Sequence, residues 1–285
     1  AGERFTLFAF APDLPVSTRP VLFATDAAAN ESTLSFSCAV VPRRFRASDI
    51  PLEDAFLDRV VPELLSQSPS IAGTGDTLKD FLAINGTLRR ENAATIAALS
   101  AASNPAALWH GAFRQLGNSA VQAGYADSRT YIYQGREVDH QTHLGFDLAS
   151  VKQAPVEAGN DGVVVLARWL GIYGNTVILD HGWGVQSLYA HLSSIDVKPG
   201  QMVEKEGALG RSGMTGLAAG DHLHFTMLVN GQMVNPIEWW DGHWIEDRDL
   251  EEQRRSGGEP GRHGERDGGH AEGIRRQADP QRGRV

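Results

Sequence analysis

Three runs set the reading: Gly162-Val163-Val164-Val165-Leu166-Ala167, then Thr176-Val177-Ile178-Leu179, then Ser187-Leu188-Tyr189-Ala190-His191-Leu192. Each is short, rich in Val, Ile, Leu and Tyr, and set off by glycines such as Gly182-Trp183-Gly184. Short apolar runs bounded by glycine predict strands rather than helices. His222-Leu223-His224-Phe225-Thr226 adds another strand, and Pro199-Gly200 and Asn230-Gly231 add turns. Asn-Gly between apolar residues is a strong hairpin cue. Residues from about 119 to 245 therefore predict an antiparallel β-domain.

Outward from this block the texture changes. Residues 47–118 predict a helical segment. Ser48-Asp49-Ile50-Pro51-Leu52-Glu53-Asp54 reads as a helix entry, with acids favoured in the first turn. Phe56, Val60, Val61 and Leu64 follow at helical spacing. A second helix is expected from Thr77 through Leu88 and a third from Glu91 to Ala102, before Pro105. Residues 1–46 alternate apolar and polar positions and predict a small β-module, with Phe23 to Ser32 weakly like the end of an immunoglobulin-type repeat. Phe5 to Ala11 reads as an ordinary strand, and the N-terminus as mature or truncated. Residues 246–285 form a strap and a tail whose last thirty residues are too poor in apolar side chains to offset ordering entropy, so disorder is expected there. The fold class expected is α+β.

The composition excludes several functions. With 26 basic and 35 acidic residues the net charge is −9, which opposes a phosphate backbone, so no nucleic-acid partner is expected. The single cysteine, Cys38, rules out an internal disulfide framework and a multi-cysteine metal site. No apolar run approaches the ~18 residues of a transmembrane helix. Walker A, His-Glu-x-x-His and Gly-x-Ser-x-Gly patterns are absent from the sequence.

Chemistry concentrates on histidines of the β-domain. In His143-Leu144-Gly145-Phe146-Asp147 a period of two puts His143, Gly145 and Asp147 on one strand face, Gly145 leaving room between the two ligand types. His222-Leu223-His224-Phe225 repeats the pattern, with two imidazoles on one face and two apolar anchors behind. His191 is expected to share its face with Tyr189 while Ala190 and Leu192 pack inward. Two histidines and a carboxylate suit catalytic zinc, which keeps an open position and lowers a water's pKa to about 7. Which of His222 and His224 meets a metal is left open by spacing.

Residues from about 119 to 240 resemble the LytM/lysostaphin-type zinc endopeptidases of bacterial cell walls. The resemblance is carried by His143-Leu-Gly-Phe-Asp147, Asn160-Asp-Gly-Val163, Tyr173-Gly-Asn175, Asp180-His-Gly-Trp-Gly184, Tyr189-Ala-His191-Leu-Ser193, Val197-Lys-Pro-Gly-Gln201, Gly207-Ala-Leu-Gly210, Gly213-Met-Thr-Gly216, His222-Leu-His-Phe225 and Asn235-Pro236. It implies a β-domain with a groove and zinc held by His143, Asp147 and His224. It further implies His191 and His222 as the catalytic histidines, and Tyr173 and Asn175 as lining for the substrate. The implied activity is hydrolysis of peptide bonds in peptidoglycan stem peptides or cross-links, in the cell envelope, periplasmic or secreted. The alternative is a non-catalytic relative that binds peptidoglycan and activates another wall hydrolase; lost ligands would mark it, and all three are present.

One departure stands upstream. The family's Phe-Gly-x-Arg lead-in becomes Gly124-Tyr-Ala-Asp-Ser-Arg129 here, so a structural role is expected for Arg129. His140 is expected to be exposed, His181 to cap a hairpin, and His110 to lack a partner. His263 and His270 read as solvated. Trp239, Trp240 and Trp244 predict packing of the strap on the β-domain. For residues 1–118, targeting or anchoring is expected rather than inhibition, so a 119–255 fragment should match the whole chain on soluble substrates.

Overall fold

The computed structural model describes residues 7–15, 17–38 and 43–247. The expected disordered tail, with His263 and His270, lies outside the described residues. The described chain is α+β, its C-terminal part built from mainly antiparallel strands.

Strands in chain order are β1 (Val21–Thr25), β2 (Glu31–Ser35), β3 (Ala47–Leu52), β4 (Ala120–Ala123), β5 (Asp127–Tyr133), β6 (Arg136–His143), β7 (Phe146–Ala149) and β8 (Pro155–Glu157). They continue as β9 (Gly162–Trp169), β10 (Asn175–Gly182), β11 (Val185–Leu192), β12 (Ser194–Ile195), β13 (Met202–Val203), β14 (Ala208–Arg211), β15 (Leu223–Val229) and β16 (Gln232–Val234). The principal sheet has the order β13-β9-β10-β11-β15-β7-β4, with β16 paired to β15. Its central strands β11 and β15 are buried along their whole length, the polar Gln186, Ser187 and Thr226 included. Asn230 and Gly231 both take positive φ in the β15–β16 connection, as a two-residue primed hairpin turn requires.

The helices are α1 (Asp54–Gln67), α2 (Thr77–Ala83), α3 (Arg89–Leu99) and α4 (Pro236–Trp239). α1 buries Leu57, Val60, Val61 and Leu64, at the i, i+3, i+4, i+7 positions of one face. α2 is capped by Asp76, whose carboxylate accepts from the Lys79 amide. It runs without a break through a π-helical turn, Ile84–Leu88, into α3. No helix among the described residues is long and apolar enough to cross a membrane.

Three expectations change here. Residues 47–52 are not a helix entry but strand β3, which pairs in parallel with β5 in a three-stranded sheet β3-β5-β6. The β-branched Ile50 and the pre-proline restriction on it favour an extended backbone over a helical one. The β1–β2 pair is a two-stranded hairpin, exposed on all its residues, and no second sheet faces it among the described residues. Leu7–Ala11 carries no strand.

The helices share their core with the β-domain. Phe81 of α2 meets the Tyr131 ring of β5 edge-on, and Asn85 donates from Nδ2 to Asp139 of β6 at 2.7 Å. Residue 118 is thus no boundary between separate cores. The C-terminal strap packs as expected: Trp239 lies against Trp109 and Phe113, and Trp240 against Phe146 and Phe225.

Candidate active site

β7 and β15 are neighbours, and their register sets Asp147 directly opposite His224, Phe146 opposite Phe225 and Leu148 opposite Leu223. Residues directly opposite share a face. Asp147 and His224 therefore point to one side of the sheet, while the four apolar neighbours form core on the other.

His143 reaches the same point by another route. β6 ends at His143 in the three-stranded sheet and β7 begins at Phe146 in the large one, so Leu144 and Gly145 turn the chain between sheets. The expectation of one strand carrying both residues is corrected by this bend. Gly145 is needed for a different reason as well: a Cβ there would lie 2.6 Å from the His224 ring and 2.8 Å from the Phe225 carbonyl oxygen. We expect Gly145→Ala to cost about 1–3 kcal/mol through overpacking. Denaturant unfolding checks this, and unchanged stability would contradict the close approach.

The three donor atoms converge. His143 Nε2 is 3.0 Å from Asp147 Oδ1 and 3.0 Å from His224 Nδ1, and His224 Nδ1 is 3.0 Å from Asp147 Oδ1. His143 Nδ1 faces the Gly124 carbonyl at 2.9 Å and must donate there. In an uncharged ring its Nε2 is then a bare acceptor. Burial holds His224 down to about 4, which keeps it neutral at physiological pH. Burial alone would raise the Asp147 carboxyl, yet the neighbouring His143, His222 and His224 hold it well below the usual carboxylate range. Potential ligand atoms from three buried residues thus converge on one point, the arrangement a divalent cation satisfies. The residues fit zinc.

Around this cluster the second carboxylate oxygen of Asp147 accepts from Arg129 Nη2 at 2.9 Å. Sequence reasoning expected a structural role for Arg129 without naming its partner.

His191 and His222 complete the pocket, their ring centroids 4.9 Å apart and His191 5.8 Å from His224. Simple alternation would turn His191 away. Tyr189 pairs with Phe225 and Ala190 with His224, so a residue on Tyr189's face would point to the far side. Between β10 and β11 the register slips, and Ala190 and His191 together oppose Thr176. His191 takes φ +62 in this bulge, which swings its side chain to the His224 side. That placement corrects the expectation that it shares a face with Tyr189. A positive φ at a non-glycine residue is a strained state of the sort found where function demands a particular direction.

Both rings are oriented by carbonyls. His191 Nδ1 donates to Thr215 O at 2.8 Å and His222 Nδ1 to Gly220 O at 2.8 Å. Each Nε2 is left to face the pocket, that of His222 3.4 Å from Asp147 Oδ1. Neither carbonyl was foreseen, because a main-chain acceptor leaves no residue-type signature.

The remaining sequence-derived residues fall differently. Tyr173 is buried, its ring 5.6 Å from His224 and its hydroxyl against Met233 Sδ, so it supports His224 from behind rather than standing open to the groove. Asn175 is half-buried, its main-chain N–H donating to Thr215 Oγ1. His181 does not cap a hairpin from outside: it is fully buried, with Nδ1 on Asp161 O and Nε2 on Ser187 Oγ, and burial lowers it to about 4. His110 has a partner after all, Asp161 at 3.3 Å. His140 is exposed and pairs with Glu137.

A β-domain whose sheet carries a buried cluster of two histidines and one carboxylate, fitted to zinc, is the arrangement that the resemblance to LytM/lysostaphin-type proteins implies. Residues 141–236 match the model of Peptidase family M23. The DD-carboxypeptidase/endopeptidase Mpg of Neisseria meningitidis is 42% identical over 95 residues, covering 33% of this chain and 22% of that protein. The peptidoglycan DD-endopeptidase ShyA of Vibrio cholerae is 42% identical over 96 residues, covering 34% of this chain and 22% of its own length. A crystal structure described as a zinc containing peptidase from Vibrio cholerae is 32% identical, with a TM-score of 0.37, over 47% of this chain and 39% of that one. The chain thus spans about a fifth of the length of the curated relatives it matches.

Proposed function

We propose that this protein is a zinc endopeptidase that hydrolyses peptide bonds in peptidoglycan stem peptides or cross-links, acting in the cell envelope. The observation that carries the reading is the pair of carbonyl-anchored histidines, His191 and His222, standing beside a three-donor cluster. The relatives that are named as peptidoglycan endopeptidases supply the substrate class.

His143, Asp147 and His224 would hold the metal. Bound there, zinc supplies a Lewis acid that polarises a carbonyl and acidifies a water. The chain's own residues do the rest. The bare Nε2 of His191 or His222 can accept a proton from the attacking water, and the Nε2–H so formed can donate to the oxyanion and then return the proton to the leaving amine. Water is thereby added across the C–N bond. Thr215 O and Gly220 O keep each ring from presenting its donor nitrogen to the pocket. Asn175, half-buried at the start of β10, is assigned to the substrate groove. Tyr173 holds the His224 ring in place.

Purified sacculi of known chemistry, incubated with the zinc-loaded protein, should release muropeptides with newly cut peptide bonds by mass analysis. Chelation should stop the release and added zinc restore it. Intact cross-links after incubation with fully loaded protein would overturn the reading.

Arg129 gives a second check. Its guanidinium occupies the oxygen of Asp147 that faces away from the histidines, which holds the carboxylate for one-oxygen ligation. Partners of this type are worth about 10–100-fold in metal affinity. Arg129→Met should weaken zinc by that order in a chelator competition, while a folded variant with wild-type affinity would refute the role.

A further inference from the structure

The loop from Gly213 to Asp221 supplies both carbonyls that orient the unliganded histidines, Thr215 O for His191 and Gly220 O for His222. Its two ends are tied within the β-domain. Gly213 bridges His222, and the Asp221 carboxylate accepts from Ser212 Oγ at 2.6 Å and from the Gln153 amide at 3.0 Å. Its middle is held by the helices. Arg59 of α1 donates from Nη2 to Ala218 O at 2.6 Å, across 159 residues of sequence. The adjacent Leu217 amide donates to Ile172 O, and the Ile172 amide in turn donates to Asn92 Oδ1 of α3 at 3.0 Å.

Asn92 is buried, and the backbone at Gly171 lies so close to it that a Cβ there would overlap the Asn92 amide group. Gly216 approaches the main chain of Ile172 and Gly174 equally closely. A loop crossed by such contacts has little freedom to shift without taking the two carbonyls with it. An imidazole whose Nδ1–H loses its carbonyl is free to change tautomer or rotate, and either change removes the acceptor Nε2 from the pocket.

We infer that α1 and α3 are part of the catalytic apparatus, with Arg59 and Asn92 as positioning residues that fix the 213–221 loop and, through it, the direction and tautomer of His191 and His222. The expectation that residues 1–118 only target or anchor is set aside on this reading, and a fragment beginning at 119 would lack both braces. The inference rests on the proposed roles of His191 and His222, so its test includes a readout that needs no turnover.

The experiment uses the full chain loaded with zinc. Arg59→Met keeps the aliphatic stem and removes the donor, Arg59→Lys keeps one donor, and Arg90→Met removes a helix arginine whose bond is to Thr87 of its own segment. Arg59→Met should lower kcat on a soluble cross-linked muropeptide about tenfold, with KM little changed and zinc content intact. By nitrogen-resolved NMR, the Nδ1–H signals of His191 and His222 should exchange with solvent about tenfold faster or give way to the other tautomer. Arg59→Lys should recover most of both, and Arg90→Met should match the wild type. A folded Arg59→Met with wild-type kcat and wild-type imidazole signals overturns the inference, as does an equal loss in Arg90→Met. If Arg59→Met fails to fold, Asn92→Ser reads the same brace through Ile172, with the same two outcomes. Wild-type protein without peptidase activity would refute the proposed function instead, and the imidazole signals would still decide the brace.

Discussion

His191→Ala and His222→Ala are each expected to retain zinc and to lose about a hundredfold or more of the peptidase turnover, as is typical for removal of a general acid–base or oxyanion group. Neither ring belongs to the convergent set His143 Nε2, Asp147 Oδ1 and His224 Nδ1, so metal content should stay near one per chain. Removing the His191 ring also relieves a positive φ only in part, because alanine tolerates that region little better. The loss should therefore appear in kcat with modest change in stability. Single-turnover rates on a defined muropeptide, alongside metal analysis, check both halves. A residual rate within a few-fold of wild type would remove these residues from the mechanism. Zinc release from His222→Ala with retention in His224→Ala would exchange their roles.

The second large effect concerns the donors themselves. His143→Ala or Asp147→Ala should strip most of the zinc and abolish activity, since a catalytic site with three protein ligands becomes a two-ligand site. The fold should survive, because both side chains face a polar pocket and the apolar face of β7 and β15 is untouched. Asp147→Ala carries an added cost, as it leaves the Arg129 guanidinium half-buried without its carboxylate. Asp147→Asn, which keeps an acceptor for Arg129, should be the more stable of the two and still bind zinc weakly. Inductively coupled plasma analysis of dialysed protein, with circular dichroism as the control for folding, gives the result. Full zinc occupancy in both alanine variants would sink the ligand assignment.

Much of this was legible in the sequence. The strands β9, β10, β11 and β15 were read from apolar runs and glycine punctuation, and the His-x-His pair from a period of two, because strand periodicity is a local property of the backbone. The amphipathic face of α1 was legible for the same reason, with Leu57 taking the core position given to Phe56. Strand β3 was misread because acids and a proline imitate a helix entry. Its extended state is settled by the ladder it makes with β5, some eighty residues away.

What the sequence determined by itself was the set of chemical groups and the local period that turns each toward one face or another. Tertiary structure decided the rest. A bulge against Thr176 turns His191 into the pocket against its own alternation. Gly145 makes room for a ring that arrives from residue 224. Arg129 finds Asp147, and Arg59 finds a carbonyl in the loop that anchors the rings of His191 and His222. Each of these depends on which distant segments meet. Steric exclusion and main-chain hydrogen bonding between such segments have no periodic trace in the chain, so they exist only once the sheet has closed and the helices have packed on it.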